Sequence, residues 1–337
     1  MRLGKHPEKN NTRLSIDSYH RVIIPVYIPN LSEDYFKHGL QIFKYCIKSL
    51  LHTIHDKTRI SLIDNGCCTE VVSYLSELYE NEFAVDQLLH SKKNLGKVNA
   101  IYSAIKSNLE PLLTISDADV FFLSNWQPEV EKLISEFPQA GMVSPVPSSK
   151  AYGSPYASST LYYGLLKNKI SAQKVMNPGA MQHFERSIGR KMYESVHLEK
   201  YLCIGRSEQK AVIGSGHFVV TMRAEVFSNA PETVCTEKIV GGSENRYIDQ
   251  PNNDGGFLRI STIDNYAYHM GNVAQEWMEV ELNKLLVSTP ANTVLAQLPP
   301  ARPLKRWQVF LGKVIRRVLF GYFKIPFLKS KGLNRSY

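Results

Sequence analysis

Short runs of apolar and β-branched residues alternate with amphipathic stretches along residues 21–146. An apolar run that stops at turn residues, as 21–28 does at Pro29-Asn30, is typical of a buried strand. Apolar residues at helical spacing are typical of a helix that faces a core. The predicted strands are 21–28, 60–63, 85–90, 112–116 and 141–146, and the predicted helices are 40–54, 69–80, 126–137 and a segment that includes 100–105. This alternation predicts an α/β fold with a parallel sheet.

Residues 147–300 are less periodic than the first half. The polar segment 147–159, rich in Ser, Pro and Tyr, is expected to be a loop between the halves. Residues 211–227 predict a strand or a strand pair and the start of a helix, and 257–260 predict a strand before the segment 266–272. The chain therefore divides into four parts. They are a leader (1–20), an α/β half (21–146), a second half (147–300) and a tail (301–337).

The composition is that of an ordinary globular chain, since 43% of the 337 residues are hydrophobic and 21% are charged. No stretch of about 18 apolar residues occurs, so no membrane-spanning helix is expected. The polar N-terminus lacks the apolar core of a signal peptide. The five cysteines form neither an even disulfide framework nor a zinc pattern of paired C-x-x-C units. These features predict a cytoplasmic protein.

The formal net charge of +9 originates in the tail. Residues 301–337 contain ten Lys or Arg and no Asp or Glu. Residues 1–300 therefore contain the other 30 of the 40 basic residues and all 31 acidic residues, which gives them a net charge of −1. A nearly neutral body argues against a broad phosphate-binding surface. No nucleic-acid partner is therefore expected.

Asp117 and Asp119 directly follow the predicted strand 112–116. Open α/β sheets bind their ligands at the carboxyl ends of the strands, so this pair is well placed to hold a divalent cation. Two acidic residues one apart are common by chance, and a strand-end turn with solvated aspartates is the alternative. The pair gains weight only from other motifs in the chain.

Four segments on or directly after successive predicted strands resemble, in order and spacing, those of the family 2 glycosyltransferases. They are Ile24-Pro25-Val26-Tyr27, Asp64-Asn65-Gly66, Asn94-Leu95-Gly96 with Asn99-Ala100, and Asp117-Ala118-Asp119. These enzymes have the GT-A fold, with a Rossmann-like, mostly parallel central sheet flanked by helices. The resemblance implies a hexosyltransferase-type enzyme of polysaccharide or glycolipid synthesis that uses a nucleotide-sugar.

The resemblance also implies which residues bind the nucleotide. Pro25, Tyr27 and Asp64 would contact the base, with Asp64 accepting a hydrogen bond from a ring N–H. Asn94 belongs to the same donor-binding set, and Gly96 would let the backbone approach the donor. The commonest donor in the family is a UDP-sugar, and GDP and dTDP remain open.

In the same way, the resemblance assigns the diphosphate site. Asp119 would bind the metal directly, and Asp117 would contact the ribose or a metal-bound water. His269 would be a further metal ligand or, alternatively, a structural histidine packed on neighbouring tyrosines. Lys97 would reach a phosphate or lie in solvent at a helix start. A site of carboxylates and an imidazole suits Mn²⁺ or Mg²⁺ better than zinc.

Inverting transfer requires a carboxylate that removes the proton of the acceptor hydroxyl. The candidates are Glu244, Asp249 and Asp254 in the acidic segment 241–254. The segment Ser243-Glu244-Asn245 departs from the family pattern, which places a Glu-Asp pair there. We favour Asp249 over Glu244, and we interpret Asp254 as a turn residue.

Residues 304–322 of the tail predict an amphipathic helix, because an α-helix turns by about 100° per residue and this spacing separates their apolar from their basic side chains. One half holds Trp307, Phe310, Leu311, Val314, Ile315, Val318, Leu319 and Tyr322, and the other holds Lys305, Arg306, Lys313, Arg316 and Arg317, with Val309 as the exception. Such a helix is typical of peripheral binding to an anionic membrane surface, here the inner face of the membrane. The acceptor would then be lipid-linked or a growing surface glycan. The alternative is a helix that packs its apolar face on the catalytic domain.

Two other functions remain open. A sugar-1-phosphate nucleotidyltransferase shares the coarse fold, but it should carry a glycine-rich, Arg-containing loop where this chain has Pro29-Asn30-Leu31-Ser32. A basic protein that binds membranes or nucleic acid, with a decayed catalytic site, is the other alternative. Metal-dependent hydrolysis of a nucleotide-sugar would distinguish an enzyme from such a binding protein.

Overall fold

A computed structural model describes residues 3–10, 13–239, 242–288, 294–334 and 337. Residues 1, 2, 11 and 12 of the predicted leader and residue 241 of the acidic segment lie outside this description. The first half contains β1 (His20–Val26), α1 (Gly39–Thr53), β2 (Thr58–Asn65), α2 (Thr69–Asn81), β3 (Val85–Ser91), α3 (Lys97–Ile105), β4 (Leu112–Ser116), β5 (Val120–Phe122), α4 (Trp126–Glu136) and β6 (Ala140–Ser144). The alternation predicted for 21–146 is confirmed.

The second half contains more regular structure than its weak periodicity predicted. Its elements are α5 (Ser158–Leu166), β7 (Ile170–Lys174), α6 (Pro178–Ser187), α7 (Ser195–Glu199), β8 (Lys200–Arg206), β9 (Gln209–Ile213), β10 (Val219–Arg223), a π-helical turn (Asn245–Asp249), α8 (Gln250–Asp254), β11 (Leu258–Ser261), β12 (Ala267–His269) and α9 (Glu276–Leu286). The tail forms α10 (Arg306–Tyr322) and α11 (Lys324–Ser330). The predicted loop 147–159 ends at α5, where Ser158 is buried and donates a hydrogen bond to Asn253 Oδ1 at 2.9 Å.

One large mixed sheet organises both halves, in the order β3-β2-β1-β4-β10-β6-β11-β9-β8-β7. Strands β3, β2, β1, β4, β6, β11 and β8 run in one direction, and β10, β9 and β7 run in the other. The predicted mostly parallel central sheet of an α/β fold is therefore confirmed.

Helices cover both faces of the parallel part, which explains why β1 is an almost continuous apolar run. Val22 and Ile24 belong to the same hydrophobic cluster as Phe43 of α1. Ile23 belongs to a separate cluster with Ile101 of α3. Because alternate strand residues point to opposite faces, α1 and α3 lie on opposite sides of the sheet.

The order of strands creates a crevice at one edge of the sheet. β1 pairs in parallel with β2 on one side and with β4 on the other, so the direction in which the chain adds strands to the sheet reverses at β1. The carboxyl ends of strands beside such a switch form a crevice in open α/β sheets. A separate ribbon of β5 and β12 pairs His269 with Val120, directly after the acidic pair.

The tail helix α10 packs on α5 through its least bulky face. Val309 and Gly312 are its buried residues, and a Cβ at Gly312 would lie 2.9 Å from the carbonyl oxygen of Ser158. Within the described residues, no helix combines the length and apolar character needed to cross a membrane.

Candidate active site

A cavity of about 500 Å³ opens at the carboxyl ends of β1, β2 and β4. Six of the sequence-predicted residues line it, namely Pro25, Tyr27, Asn94, Lys97, Asp117 and Asp119. Asn65, which belongs to the motif after the second strand, lines the cavity as well. Five further lining residues were not predicted from the sequence, namely Tyr35, Phe36, Lys238, Ile239 and Asn272. The pair Tyr35-Phe36 shortly after β1 was a usable signal, because aromatic rings are typical of base-binding walls. The ring of Phe36 contacts Tyr27 edge-on, with centroids 5.9 Å apart.

Asp64 is buried beside this cavity but is not among the described residues that line it. Its Oδ1 accepts hydrogen bonds from the backbone N–H groups of Gly66 (3.1 Å) and Cys67 (2.8 Å). Its Oδ2 lies 3.1 Å from His90 Nδ1. Neighbouring strand residues point to opposite faces, so Asn65 faces the cavity while Asp64 fixes the turn after β2.

Gly96 permits a close crossing of two backbone segments at the rim of the cavity. Its φ is +82°, and a Cβ there would lie 2.8 Å from the carbonyl oxygen of Glu237. The N–H of Lys97 donates to the carbonyl oxygen of Lys238 at 3.0 Å. Asn94 Oδ1 accepts from the N–H of Gly96 at 2.8 Å and fixes the turn. The glycine therefore lets residues 237–238 cover the start of α3.

Asp119 and His269 meet because the ribbon of β5 and β12 brings them together. The N–H of Met270 donates to the carbonyl oxygen of Asp119 at 2.8 Å, and His269 Nε2 lies 3.4 Å from Asp119 Oδ2. Asp119 Oδ1 is buried and has no hydrogen-bond partner among the described residues. Burial raises the pKa of Asp119 to about 6, although the nearby His269 partly opposes this increase.

This geometry fits a divalent cation. A buried carboxylate oxygen without a donor is costly unless a ligand satisfies it. The second ring nitrogen of His269, Nδ1, accepts a hydrogen bond from the backbone N–H of Gly271 at 3.2 Å and lies 3.0 Å from Ser187 Oγ, and these contacts fix the orientation of the ring. The ring of His269 packs edge-on against Phe184 and Phe218, and no ring contact joins it to a tyrosine among the described residues. A carboxylate and an imidazole are donors that suit Mn²⁺ or Mg²⁺.

Lys97 connects two carboxylates at the bottom of the site. Its Nζ contacts Asp117 Oδ1 and lies 2.7 Å from Glu244 Oε1. Burial alone would lower the pKa of Lys97, but the two carboxylates raise it above its usual value. Burial also opposes ionisation of Glu244, yet Lys97 keeps the pKa of Glu244 below its usual value. The predicted lysine is thus held inside the site.

A second cavity of about 460 Å³ adjoins the first and shares Lys97 and Asp117 with it. We call it the acceptor-side cavity. Phe184 and Phe218 form one wall, with stacked rings whose centroids are 5.3 Å apart. Its polar side chains include Lys150, Asn177, Tyr193, His217, Glu244, Arg259 and His269.

The three acidic candidates have different surroundings. Glu244 lines the acceptor-side cavity. Asp249 is fully buried behind it, with Oδ2 2.5 Å from His217 Nε2 and 3.2 Å from Arg259 Nη1. Asp254 faces the tail and forms an ion pair with Lys313 at 2.7 Å. His217 and Arg259 were not predicted from the sequence. Their one local signal is a histidine next to Gly214-Ser215-Gly216 before a strand.

Three solved structures are among those to which this chain is similar. TarS 1–349 from S. aureus is 12% identical, with 89% of this chain and 72% of that chain covered and a TM-score of 0.45. The same TarS region in complex with UDP-GlcNAc is 13% identical, with 89% of this chain and 73% of that chain covered and a TM-score of 0.42. The mannosyltransferase PcManGT from Pyrobaculum calidifontis, in complex with GDP-Man and Mn²⁺, is 12% identical, with 94% of this chain and 80% of that chain covered and a TM-score of 0.42. No curated protein matches the sequence.

The family model described as "Glycosyl transferase family 2" matches residues 22–196, which is more than half of the chain. The matched region starts in β1 and includes all four motifs on which the resemblance rests, the acidic pair among them. The family membership predicted from those motifs is therefore confirmed, and with it the GT-A type of α/β fold. The chain belongs to glycosyl transferase family 2 and is a glycosyltransferase.

Proposed function

We propose that this glycosyltransferase moves a hexosyl group from a nucleotide-sugar, with UDP as the favoured nucleotide, to a hydroxyl of a glycan or lipid-linked acceptor. The proposal includes a requirement for Mn²⁺ or Mg²⁺ and inversion at the anomeric carbon. The observation that carries it is the buried Oδ1 of Asp119, which has no hydrogen-bond partner among the described residues, while Oδ2 of the same carboxylate lies 3.4 Å from His269 Nε2. Family membership supplies the reaction class.

On the donor side, Asp119 and His269 would hold the cation, and Asp117 would contact the ribose or a metal-bound water. A divalent cation bound there would neutralise charge on the leaving diphosphate without proton transfer. The nucleotide base would lie against Pro25 and Tyr27, which line the same cavity. Asn94 and Gly96 would shape the rim of the cavity, and Asp64 would act on the base indirectly through the turn it fixes.

Lys97 would change partners when the donor binds. Its ammonium already lies between Asp117 and Glu244 in the wall shared by the two cavities. A diphosphate carries more negative charge than either carboxylate, so part of this ion pairing would pass to the phosphates. Lys97 would then bind the departing nucleoside diphosphate.

On the acceptor side, Asp249 is the favoured catalytic base of the proposal, and Glu244 is the alternative. Glu244 lines the cavity, and Asp249 contacts it through His217. Asp249→Asn removes a charge without changing shape, so we expect loss of transfer with intact donor binding. Retained turnover would assign the catalytic role to Glu244 alone.

A thermal-shift panel of UDP-, GDP- and dTDP-sugars, with and without Mn²⁺, tests the donor and the metal together. We expect one nucleotide class to raise the melting temperature, and only when Mn²⁺ is present. Asp119→Asn should abolish this shift. Asp254→Asn should keep it, because Asp254 pairs with Lys313 of the tail helix and does not line the cavity. A shift that is equal with and without Mn²⁺ would contradict the metal requirement. Binding without release of free nucleotide would instead favour a non-catalytic binding protein.

We further propose that α10 attaches the enzyme to the anionic inner face of a membrane. Val309 and Gly312 pack on the domain, whereas Trp307, Phe310 and Tyr322 are exposed. The ten basic residues of 301–337, with no acidic residue among them, complement an anionic surface. An exposed aromatic face beside basic side chains favours interfacial binding.

Sedimentation with lipid vesicles tests this attachment. The full chain should bind phosphatidylcholine vesicles that contain phosphatidylglycerol, more weakly at high salt, and should not bind phosphatidylcholine alone. The double variant Trp307→Ser/Phe310→Ser should lose binding. Phe83→Ser, which removes an aromatic side chain that is 82% exposed elsewhere, should not. Equal sedimentation of the double variant and the wild type would exclude α10 as the membrane contact.

A further inference from the structure

Large apolar side chains form one side of the acceptor-side cavity. Met181, Phe184 and Ile188 recur at three- and four-residue spacing along α6 and at the residue after it, so they share one face. Met192 lies beyond the helix, and Phe218 stacks on Phe184. The flexible side chains of methionines adapt to apolar ligands of different shapes. This side of the cavity therefore fits an apolar group of a ligand.

The polar side chains of this cavity already have partners within the protein. Lys150 Nζ donates to the carbonyl oxygen of Met192 at 2.9 Å, and Tyr193 Oη lies 3.1 Å from Ser148 Oγ. Asn177 Oδ1 accepts from a backbone N–H of α6 at 3.0 Å. A sugar hydroxyl that leaves water for the apolar side loses hydrogen bonds, which is unfavourable unless the protein replaces them. The apolar side therefore favours a group without hydroxyls.

The cavity lies next to the tail helix. Most of residues 147–151 line it. Arg316 of α10 holds the continuation of this loop, because its Nη2 donates to the carbonyl oxygen of Gly153 at 2.6 Å and its Nε to that of Ser154 at 2.9 Å. The helix that is proposed to lie on a membrane thus supports the wall of the cavity. An acceptor anchored in the same membrane would lie close to this cavity.

The opposite end of the cavity adjoins the donor site, since Lys97 and Asp117 belong to both cavities. An acceptor hydroxyl placed at this shared end would lie beside the proposed donor sugar. The remainder of the acceptor would then extend along the apolar side. The cavity therefore needs a ligand that is polar at one end and apolar next to it.

We propose that the acceptor is an amphiphile, in which a hydroxyl-bearing head is joined to an apolar chain, and that the start of this chain lies against Phe184, Ile188 and Met192. This inference rests on the proposed function and selects a lipid-linked acceptor over a free glycan. In the transfer, the acceptor oxygen bonds to the anomeric carbon as the bond from that carbon to the diphosphate oxygen breaks. The nucleoside diphosphate leaves with that electron pair, and the hydroxyl proton passes to the catalytic carboxylate.

The test compares methyl and n-octyl β-glycosides of glucose, galactose and mannose, all below their critical micelle concentrations. Release of the nucleoside diphosphate is measured with Mn²⁺ and the nucleotide-sugar that the thermal-shift panel selects. The readout is the glycoside concentration that gives half of the maximal change in rate, whether the rate rises or falls. Each buried methylene improves affinity by about fourfold. With about three methylenes buried, an octyl glycoside should act at a concentration about 60-fold lower than its methyl counterpart.

Two double variants locate the chain. The cavity variant Ile188→Gln/Met192→Gln makes the wall polar at similar volume, and it should reduce the octyl advantage at least about tenfold while the donor KM stays within about twofold. The control variant Leu166→Gln/Met176→Gln changes side chains that are 54% and 61% exposed and lie outside the described lining of the cavity. It should keep the full octyl advantage.

Equal half-maximal concentrations of octyl and methyl glycosides in the wild type would overturn the inference. An octyl advantage that persists in the cavity variant would also overturn it, because the chain would then bind elsewhere, for example on the exposed aromatic side chains of α10. A wild type that hydrolyses the donor but responds to no glycoside would refute the inference and leave the proposed function intact. If the wild type neither binds nor hydrolyses any nucleotide-sugar, the proposed function itself fails.

Discussion

Lys97 joins the donor side of the site to the acceptor side through an ion pair in which its Nζ lies 2.7 Å from Glu244 Oε1. The same ammonium contacts Asp117, so one cation balances two carboxylates in a largely buried wall. Removing one partner of such a group leaves the remaining charges without compensation. Lys97 is therefore central to the charge balance of the site and of the proposed donor complex.

Lys97→Met should weaken the binding of UDP by about tenfold to a hundredfold, which corresponds to the loss of one or two charge-assisted hydrogen bonds. The uncompensated Asp117 and Glu244 would also repel the diphosphate. Titration calorimetry with UDP and Mn²⁺ measures the change. Lys106→Met, at an exposed lysine just after α3, should bind UDP as the wild type does. An unchanged Kd for Lys97→Met would show that the lysine has no part in donor binding.

The contact between His269 and Ser187 gives a second prediction. Ser187 Oγ donates to the carbonyl oxygen of Phe184 at 2.8 Å and lies 3.0 Å from His269 Nδ1. The same Nδ1 accepts from the N–H of Gly271 at 3.2 Å, so these contacts hold the ring with Nε2 towards Asp119. Loss of such an outer contact commonly costs tenfold to a hundredfold in metal affinity. Ser187→Ala should therefore raise the Mn²⁺ concentration needed for UDP binding by about tenfold, whereas Ser187→Thr, which keeps the hydroxyl, should not. Equal Mn²⁺ requirements in both variants would argue against His269 as a ligand.

Two glycines of α10 provide a matched pair for the docking of the tail. A Cβ at Gly312 would lie 2.9 Å from the carbonyl oxygen of Ser158, whereas a Cβ at Gly321 would meet nothing within 4 Å. Overpacking of a close contact costs about 1–3 kcal/mol, but alanine is preferred to glycine in an open helix by about 1 kcal/mol. Gly312→Ala should therefore lower the free energy of unfolding in urea, and Gly321→Ala should leave it unchanged or raise it. Similar effects at both positions would contradict the close packing of α10 on α5.

The sequence predicted the donor side of the site better than the acceptor side. Asn94 and Gly96 follow β3, and Asp117 and Asp119 follow β4, so their order along the chain determines their place at one edge of the sheet. Asp64 shows the limit of this reasoning. The predicted strand 60–63 ended before Asp64, whereas β2 continues to Asn65, and the face on which each residue lies depends on the register of the strand.

His217, Asp249 and Arg259 could not be brought together from the sequence. His217 precedes β10, Asp249 ends a π-helical turn, and Arg259 lies on β11. In the sheet, β6 lies between β10 and β11. Their contact depends on this mixed strand order, which leaves no periodic signal. In the tail, Val309 was the exception to the predicted apolar face, yet it is one of the buried residues of α10. The reason is that Gly312, which has no side chain, lets the face that holds Val309 approach α5 closely.

Glu131 is the centre of a buried polar network at the opposite, amino-terminal edge of the sheet. Its Oε1 lies 2.6 Å from His20 Nδ1 and 3.0 Å from His55 Nε2, and Tyr19 Oη donates to its Oε2 at 2.7 Å. His20, His55 and Glu131 are types of side chain that bind metals, but these separations are hydrogen-bond distances. Burial alone would raise the pKa of Glu131, but the hydrogen bonds from the two histidines outweigh burial and lower it to about 2.

The depressed pKa of Glu131 predicts how stability depends on pH. The ordinary pKa of this group is 4.5, so the ionised network stabilises the fold fully above pH 4.5, and this contribution is lost as the pH falls towards about 2. The difference corresponds to at most about 3 kcal/mol. Glu131→Gln should lower the free energy of unfolding at pH 7 by up to this amount, and its deficit should shrink between pH 4.5 and pH 2. Glu129→Gln, at a more exposed position of α4, should follow the wild type at every pH in urea unfolding followed by circular dichroism. A deficit for Glu131→Gln that stays constant down to pH 2 would assign the effect to altered packing instead of charge.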